Sequence, residues 1–322
     1  VPPLLESALQ LAPRAPRVKT IAAIVAAMDV AGRPAANVDV ALAWFELHFA
    51  RRVRGILVDL VRELRLQVDT LSAAIAAGRQ NTADGFALRG AAEVAHDRVI
   101  EQERAIERAR YALGVWLRDD AARPLADAPD TGKLGHDPES LLANLQAHPG
   151  MQVYARREAL ADADIALADN SKKSDWSVEL AYQQRGPAFS NMVSVMVNID
   201  LPWEAEKRQD RDAAAKRLLA GQARAMTEDA QRLHEAEMRG SLADWQTADR
   251  RIERYERLLV PLARDRVAAA LAAYSGGKGE LGAVLEARRA QADARLGLLQ
   301  TQLERARAWA NLNFLMPHEA QP

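Results

Sequence analysis

The sequence predicts a mainly helical protein that carries one β-hairpin. Alanine, leucine, arginine, glutamate and glutamine dominate its long segments, a composition typical of extended helices. Residues 202–274 follow a helical pattern that only Pro261 interrupts, and residues 280–315 place apolar side chains at spacings of four and three. Residues 175–201 instead alternate apolar and polar side chains, which is the period of β-strands.

Composition excludes several classes of protein. The chain has 322 residues, of which 49% are hydrophobic, enough for a sizeable core. Its net charge of -1 gives no electrostatic attraction to nucleic acid. It has no cysteine, so disulfides and thiolate metal sites are excluded. No run of about 18 apolar residues predicts a transmembrane helix, and Val1-Pro2-Pro3 is not a secretory signal.

Comparison of the chain with itself reveals two unequal repeats. Residues 16–31 match residues 151–166 at an offset of 135, and residues 78–113 match residues 277–312 at an offset of 199. Because the offsets differ by 64 residues, the first repeat lacks 64 residues that the second repeat contains.

The repeats divide the chain into two regions. Residues 1–135 form a first repeat that is shortened and mostly helical. Residues 136–322 form the second repeat, whose elements in order are a β-hairpin at 175–201, a long helix at 202–274, a tip at 275–279 and a return helix at 280–315.

The hairpin has one apolar face and one mostly polar face. In an ordinary soluble protein such a hairpin packs on a helical core, and this interpretation stays open. Strands of about 10 residues are also long enough to cross a bilayer, and a polar second face suits a wet lumen. Trp176 and Trp203 lie at the same end, where an interfacial aromatic girdle would place them.

The membrane interpretation makes a definite prediction for the two faces. We expect Val178, Leu180, Val195 and Val197 to face lipid, and Ser177, Glu179, Ser194 and Asn198 to face the lumen. A lone hairpin cannot close a barrel, so several copies would have to contribute strands.

The helical segments predict a long antiparallel hairpin. About seventy residues of helix reach on the order of 100 Å, and Pro261 should kink this helix. The return helix has a coiled-coil seam of apolar residues. Ser275–Gly279 should reverse the chain between the two helices, and Ala77–Asn81 should form the matching reversal in the first repeat.

This order of elements, with its motifs, resembles the TolC-type outer-membrane efflux proteins over nearly the whole chain. The residues of its motifs resemble those of the heavy-metal branch, which exports cobalt, zinc and cadmium, more than those of the drug-efflux branch. The motifs that carry the resemblance are Asp175-Trp176-Ser177-Val178, Gln184-Arg185-Gly186-Pro187, Leu201-Pro202-Trp203, Tyr274 with Gly276-Gly277, and Trp309-Ala310-Asn311-Leu312-Asn313-Phe314-Leu315.

The resemblance implies a homotrimer in the cell outer membrane with a periplasmic extension. Each copy would give strands to a shared membrane β-barrel and long helices to a periplasmic α-barrel. The channel would be a passive exit duct for divalent heavy-metal cations, connected through a periplasmic adaptor protein to an inner-membrane proton-driven pump. The resemblance implies no catalytic residue and no bound cofactor.

The chain departs from that pattern in its first repeat. Ala36–Leu42 begins like a first strand, yet continues directly into the helical segment Trp44–Phe49. The first hairpin is therefore expected to be missing, so a trimer would offer six strands.

The resemblance also implies two groups of functional residues. Acidic gate candidates lie just beyond the tips: Glu286, Glu280 and Asp84, the last being the counterpart of Ala283. Alternatively, Glu286 pairs with Arg288 or Arg289 on a solvated helix face. The tip residues expected to contact the adaptor are Gly78, Arg79, Gln80, Gly276, Gly277, Lys278 and Gly279.

Two other functions stay open: a periplasmic adaptor and a soluble coiled-coil scaffold. An enzyme has the least support, because no phosphate loop or nucleophile constellation is present. The histidines are scattered without helical i, i+4 pairs, which predicts no metal site and favours surface or interface hydrogen bonding for His48, His96, His136, His148, His234 and His318.

Overall fold

The computed structural model describes residues 34–76, 81–118, 124–135, 137, 140, 143, 149–173, 176–185, 187, 189–199 and 207–314. Most of these residues are helical, and one antiparallel sheet has two strands, which confirms the predicted fold class. In chain order the elements are α1 (Pro34–Ala76), α2 (Thr82–Leu117), α3 (Pro149–Asn170), β1 (Trp176–Gln183), β2 (Met192–Ile199), α4 (Gln209–Arg254), α5 (Val260–Ser275) and α6 (Leu281–Phe314).

The chain divides into two compact units. One unit is built from residues 1–143 and 237–322, and the other from residues 144–236. Helix α4 contributes its first part to the second unit and its last part to the first. This division follows spatial contacts, whereas the two repeats are a property of the sequence, so the repeat boundaries remain a prediction. None of the helices described is long and apolar enough to span a bilayer.

Helix α1 is the centre of the first unit, where it packs against both α2 and α6. Val40, Trp44 and Leu47 recur on one side at helical spacing and are almost completely buried. They belong to a core cluster that includes Phe45, Leu113, Leu299, Ala306 and Ala310. A second cluster lies further along the same helices and contains Leu64, Leu71, Leu88, Ala92, Leu281 and Val284.

The strand-like start of the first repeat is a correction to the sequence analysis. Ala36–Leu42 is helical and continues without a break into the rest of α1. Val40 and Ala41 are fully buried in the first core cluster. Burial of these side chains against α2 and α6 outweighs the β-propensity of Val38 and Val40. The residues that resembled a first membrane strand are therefore part of the helical core.

The interruption predicted at Pro261 takes the form of a π-helical turn over Tyr255–Leu259. The Val260 N–H donates to the Tyr255 carbonyl, one residue further back than in an α-helix. Proline has no N–H, and its ring clashes with the carbonyl four residues earlier, so a wider turn accommodates it. Across from this turn, a Cβ on Gly297 would lie 2.7 Å from the Tyr255 hydroxyl oxygen. Glycine at this position lets the tyrosine ring pack against the α6 backbone.

Candidate functional site

The two strands pair in a register that separates apolar from polar side chains. Four directly opposed pairs are wholly apolar and lie on one face of the sheet, because strand side chains alternate between faces. These pairs are Trp176 with Ile199, Val178 with Val197, Leu180 with Val195, and Tyr182 with Val193. The other face carries Ser177 opposite Asn198, Glu179 opposite Met196, Ala181 opposite Ser194, and Gln183 opposite Met192.

The apolar face of the hairpin is exposed. Leu180 is 70% exposed and Trp176 73% exposed, so this face is not packed on a helical core formed by the residues described. Each strand has eight residues, shorter than the predicted 10, and reaches about 26 Å. Tilted by about 40°, as barrel strands are, a strand of this length rises about 20 Å along the membrane normal, less than the roughly 25 Å apolar band of outer-membrane barrels. Trp203, the second predicted girdle residue, lies outside the described residues.

The tip between α5 and α6 is a left-handed glycine cap. Gly277 has a φ of 71°. The Lys278 N–H donates to the Ala273 carbonyl over 2.9 Å, and the Gly277 N–H donates to the Tyr274 carbonyl over 3.0 Å. This is a Schellman motif. A Cβ on Gly279 would lie 3.0 Å from the Tyr274 nitrogen, so the reversal itself requires these glycines.

The two helical hairpins of the first unit turn at the same end. Leu71 near the end of α1, Leu88 near the start of α2, and Leu281 at the start of α6 share one core cluster, against which Tyr274 packs. The other predicted tip residues, Gly78, Arg79 and Gln80, lie outside the described residues. The end of α1 and the start of α2 lie close to the Schellman tip.

Asp84 occupies the first turn of α2, where the helix dipole favours a negative charge. The Asn81 side chain caps this helix by accepting from the Ala83 N–H over 3.0 Å. Burial raises the pKa of the Tyr274 hydroxyl, and the Asp84 carboxylate adds to the shift. That hydroxyl has no hydrogen-bond partner among the described residues. The structure therefore places Asp84 near the tip of the second hairpin.

Glu286 is paired, although not with the partners considered from the sequence. Its carboxylate accepts from Arg266 of α5 over 2.6 Å, and both side chains are more than half exposed. Arg288 instead donates to Glu63 on α1. The i, i+3 relation to Arg289 suggested a local pair, but the antiparallel contact with α5 offers a partner across the helix interface. Glu280, the third gate candidate, is exposed just before α6.

The described residues contain no group of three or more potential metal ligands. His48 is half-buried in the first unit. Its ring stacks on Trp44 with centroids 5.0 Å apart. Burial lowers the pKa of His48, and Arg52 and Arg51 lower it further, so the imidazole is neutral at pH 7. His136, His148 and His318 lie outside the described residues.

The sequence analysis missed a polar clasp that holds residues 124–135 in the first unit. The Trp245 indole N–H donates to the Thr131 carbonyl over 2.9 Å, and the Trp309 indole N–H donates to the Lys133 carbonyl over 2.7 Å. Arg305 donates to Asp249 over 2.7 Å. Both indoles are only partly buried, so each combines apolar packing with one hydrogen bond to a backbone carbonyl.

Comparison with known proteins places the fold among outer-membrane channels. No family model matches the chain, and no curated protein matches it. Among solved structures, CusC, described in terms of transmembrane channel formation, is 18% identical, with a TM-score of 0.79 over 91% of this chain and 71% of its own. The outer-membrane channel OprN is 18% identical, with a TM-score of 0.80 over 94% of this chain and 70% of its own.

The Campylobacter jejuni CmeC outer membrane channel is 13% identical, with a TM-score of 0.76 over 92% of this chain and 65% of its own. These three structures are of channel proteins rather than enzymes. At such low identity the comparisons show the fold alone.

Proposed function

We propose that this chain forms a passive outer-membrane duct of a tripartite efflux system. The observation that carries the proposal is the β1–β2 register, which collects eight exposed apolar side chains on one face of the hairpin. In water such an apolar face would be unfavourably hydrated, whereas lipid solvates it as it does the apolar band of outer-membrane barrels. The fold shared with outer-membrane channels supports the same function.

Divalent heavy-metal cations are the proposed cargo. Asp84 and Glu286 lie on helices that turn at the same end of the first unit, with Glu280 beside them. In the homotrimer that the sequence resemblance implies, each acid would appear three times around an axis. Carboxylates crowded near a pore axis repel one another and concentrate cations. The pump, rather than this duct, would select the metal.

The duct function is tested by conductance in planar bilayers. The wild-type chain should give discrete conductance steps that divalent cations block. The double variant Asp84→Ala with Glu286→Ala should raise the conductance and increase the half-blocking concentration at least about fivefold, because each lost charge removes roughly 1 kcal/mol of cation attraction. Glu304→Ala is the matched control, since its carboxylate pairs with Arg251 well away from the tip. Equal cation block in all three proteins would remove Asp84 and Glu286 from the gate.

The helical tips are the proposed contact for the periplasmic adaptor. Lys278 is the exposed side chain of the Schellman tip. The glycines beside it are required for helix capping, so their presence is not evidence of a binding partner. A single cysteine at Lys278 should cross-link to the adaptor at least about tenfold more than one at the exposed Leu66, ten residues before the end of α1. The chain has no native cysteine to confuse this comparison. Equal cross-linking at both positions would refute docking through the tip.

A soluble coiled-coil scaffold is the competing function. It is favoured by the strand count, because three copies of β1 and β2 give six strands, fewer than the eight of the smallest outer-membrane barrels. A scaffold would leave the membrane fraction in salt washes without detergent. A duct would require detergent for extraction.

A further inference from the structure

Helix α4 presents one row of partly or fully buried residues in the second unit, where it runs antiparallel to α3. The row follows the coiled-coil spacing of four and three, at which large apolar side chains usually separate two helices. Its members are Gln209, Ala213, Lys216, Ala220, Ala223 and Thr227. Among the described residues of α3 and of α4 up to Ala236, the buried ones are Met151, Ala168, Ala213 and Ala220. Large apolar side chains therefore contribute little to this helix pair.

Arg224 and Arg217 of α4 bind aspartates of α3. Arg224 donates to Asp162 over 2.8 Å, and Arg217 donates to both oxygens of Asp169 over 2.8 and 2.9 Å. A step of seven residues forward on α3 is thus matched by a step of seven residues backward on α4. Because two turns of an α-helix take about seven residues, both ion pairs belong to one antiparallel register.

Lys216 and Lys172 add ion pairs in the same register. Lys216, in the middle of the buried row, donates to Asp164 over 3.2 Å. The Lys172 Nζ lies 2.7 Å from an Asp210 carboxylate oxygen and 3.1 Å from an Asp169 carboxylate oxygen. Lys172 follows the last residue of α3 by two positions, and Asp210 lies in the first turn of α4. The ion pairs therefore continue to the level at which the chain leaves α3 for β1.

The alanines alone would accept more than one register. Ala168 lies midway between Asp164 and Lys172 in the chain, and Ala213 lies midway between their partners on α4, so the two alanines face each other. If α3 moved along α4 by two turns, about 10 Å, Ala168 would face Ala220 instead. An alanine would still meet an alanine, so packing does not distinguish the two registers.

The charges do distinguish them. After a slip of seven residues toward the end of α4, Asp169 would still meet an arginine, Arg224. Lys172, however, would meet Arg217, which carries the same charge. A slip of seven residues the other way would place Asp169 beside Asp210, again with like charges together. Like charges brought together in the wrong arrangement are a common source of specificity.

We infer that these ion pairs set the register of α3 against α4 and thereby hold the two ends of the β1–β2 hairpin at one level. Strand β1 begins six residues after α3 ends, and β2 ends ten residues before α4 begins. A slip of about 10 Å would displace one end of the hairpin against the other by the length of about three strand residues.

The exposure of the charged groups supports a role in register rather than in stability. Every side chain in these ion pairs is between 30% and 59% exposed. Exposed ion pairs add little to stability, whereas interhelical charges are well suited to choosing one register over another. This role does not depend on the proposed duct, because it concerns contacts within one chain.

Cysteine cross-links would report the register, since the chain has no native cysteine. Ala168→Cys with Ala213→Cys reports the observed register, and Ala168→Cys with Ala220→Cys reports the register displaced by two turns. The full chain in mild detergent is treated with a short bismaleimide reagent, and links that leave the monomer mass on a denaturing gel are counted. With all other residues wild type, the first pair should link at least about tenfold more than the second.

Asp162→Asn together with Lys172→Glu should shift this preference toward the displaced register. The first change removes an ion pair of the observed register. The new carboxylate at position 172 repels Asp210 in the observed register and meets Arg217 in the displaced one. The ratio of the two cross-links should therefore fall at least about tenfold. Adding Asp210→Lys restores opposite charges at that level and should return the ratio to the wild-type value.

The matched control is Asp162→Asn together with Lys173→Glu, which changes the net charge equally. Lys173 donates to Asn170 within its own turn, so the observed register should persist. An unchanged ratio in the Lys172 variant, or an equal fall in the Lys173 control, would overturn the inference. Loss of both cross-links, in place of an exchange between them, would show that the charges hold the helices together without setting their register, and would overturn it as well.

Discussion

Replacing Leu180 with arginine should keep the hairpin out of the membrane. Leu180 is the fifth residue of the eight-residue strand β1 and lies opposite Val195 on the apolar face. An arginine on the lipid face near the bilayer midplane costs about 2–4 kcal/mol, or roughly 30-fold to 700-fold in partitioning for each copy. The fraction of protein that resists extraction by carbonate from outer-membrane vesicles measures this effect.

The neighbouring residue provides the matched control. Ala181 lies opposite Ser194 on the other face, which should be wet. Ala181→Arg introduces the same charge one position along the strand, and the extractable fraction should stay near that of the wild type. If both variants are lost from the membrane equally, the two faces of the hairpin are not divided between lipid and water.

The hairpin was predictable from sequence because its two signals agree. Alternation of apolar and polar residues predicts a strand, and the same alternation predicts which side chains share one face of the sheet. No distant residue is therefore needed to place Val178 and Val195 on the apolar face. The Schellman tip was predictable for a similar reason. Gly277 and Gly279 are required by backbone contacts with residues only a few positions away in the chain. The ends of the long helices were also predictable, because proline and glycine are local signals for an interruption or an end of a helix.

Residues whose conformation depends on distant partners were not predictable in the same way. Val38 and Val40 alternate with polar residues as in a strand, yet they are helical. They share a core cluster with Leu113 and Ala306, which are far away in the chain, and packing in this cluster favours the helix. The pairing of Glu286 with Arg266 likewise depends on how α5 packs against α6, which no local pattern encodes. Packing between helices therefore accounts for these two differences between the sequence analysis and the structure.

Replacing Phe45 with alanine should destabilise the first unit by about 3–5 kcal/mol, the usual cost of truncating a buried aromatic residue. Phe45 is fully buried and meets Trp44 and Trp309 edge to face, with ring centroids 5.5 and 6.1 Å apart. The alanine would leave a cavity that rigid indole rings cannot close. Urea unfolding followed by far-UV circular dichroism, in detergent above its critical micelle concentration, measures the change.

Leu66→Ala is the control on the same helix, because Leu66 is 67% exposed and should cost less than about 0.5 kcal/mol. Both variants remove a large apolar side chain from α1, and they differ in whether that side chain is buried. Equal costs for Phe45→Ala and Leu66→Ala would show that Phe45 is not packed between Trp44 and Trp309.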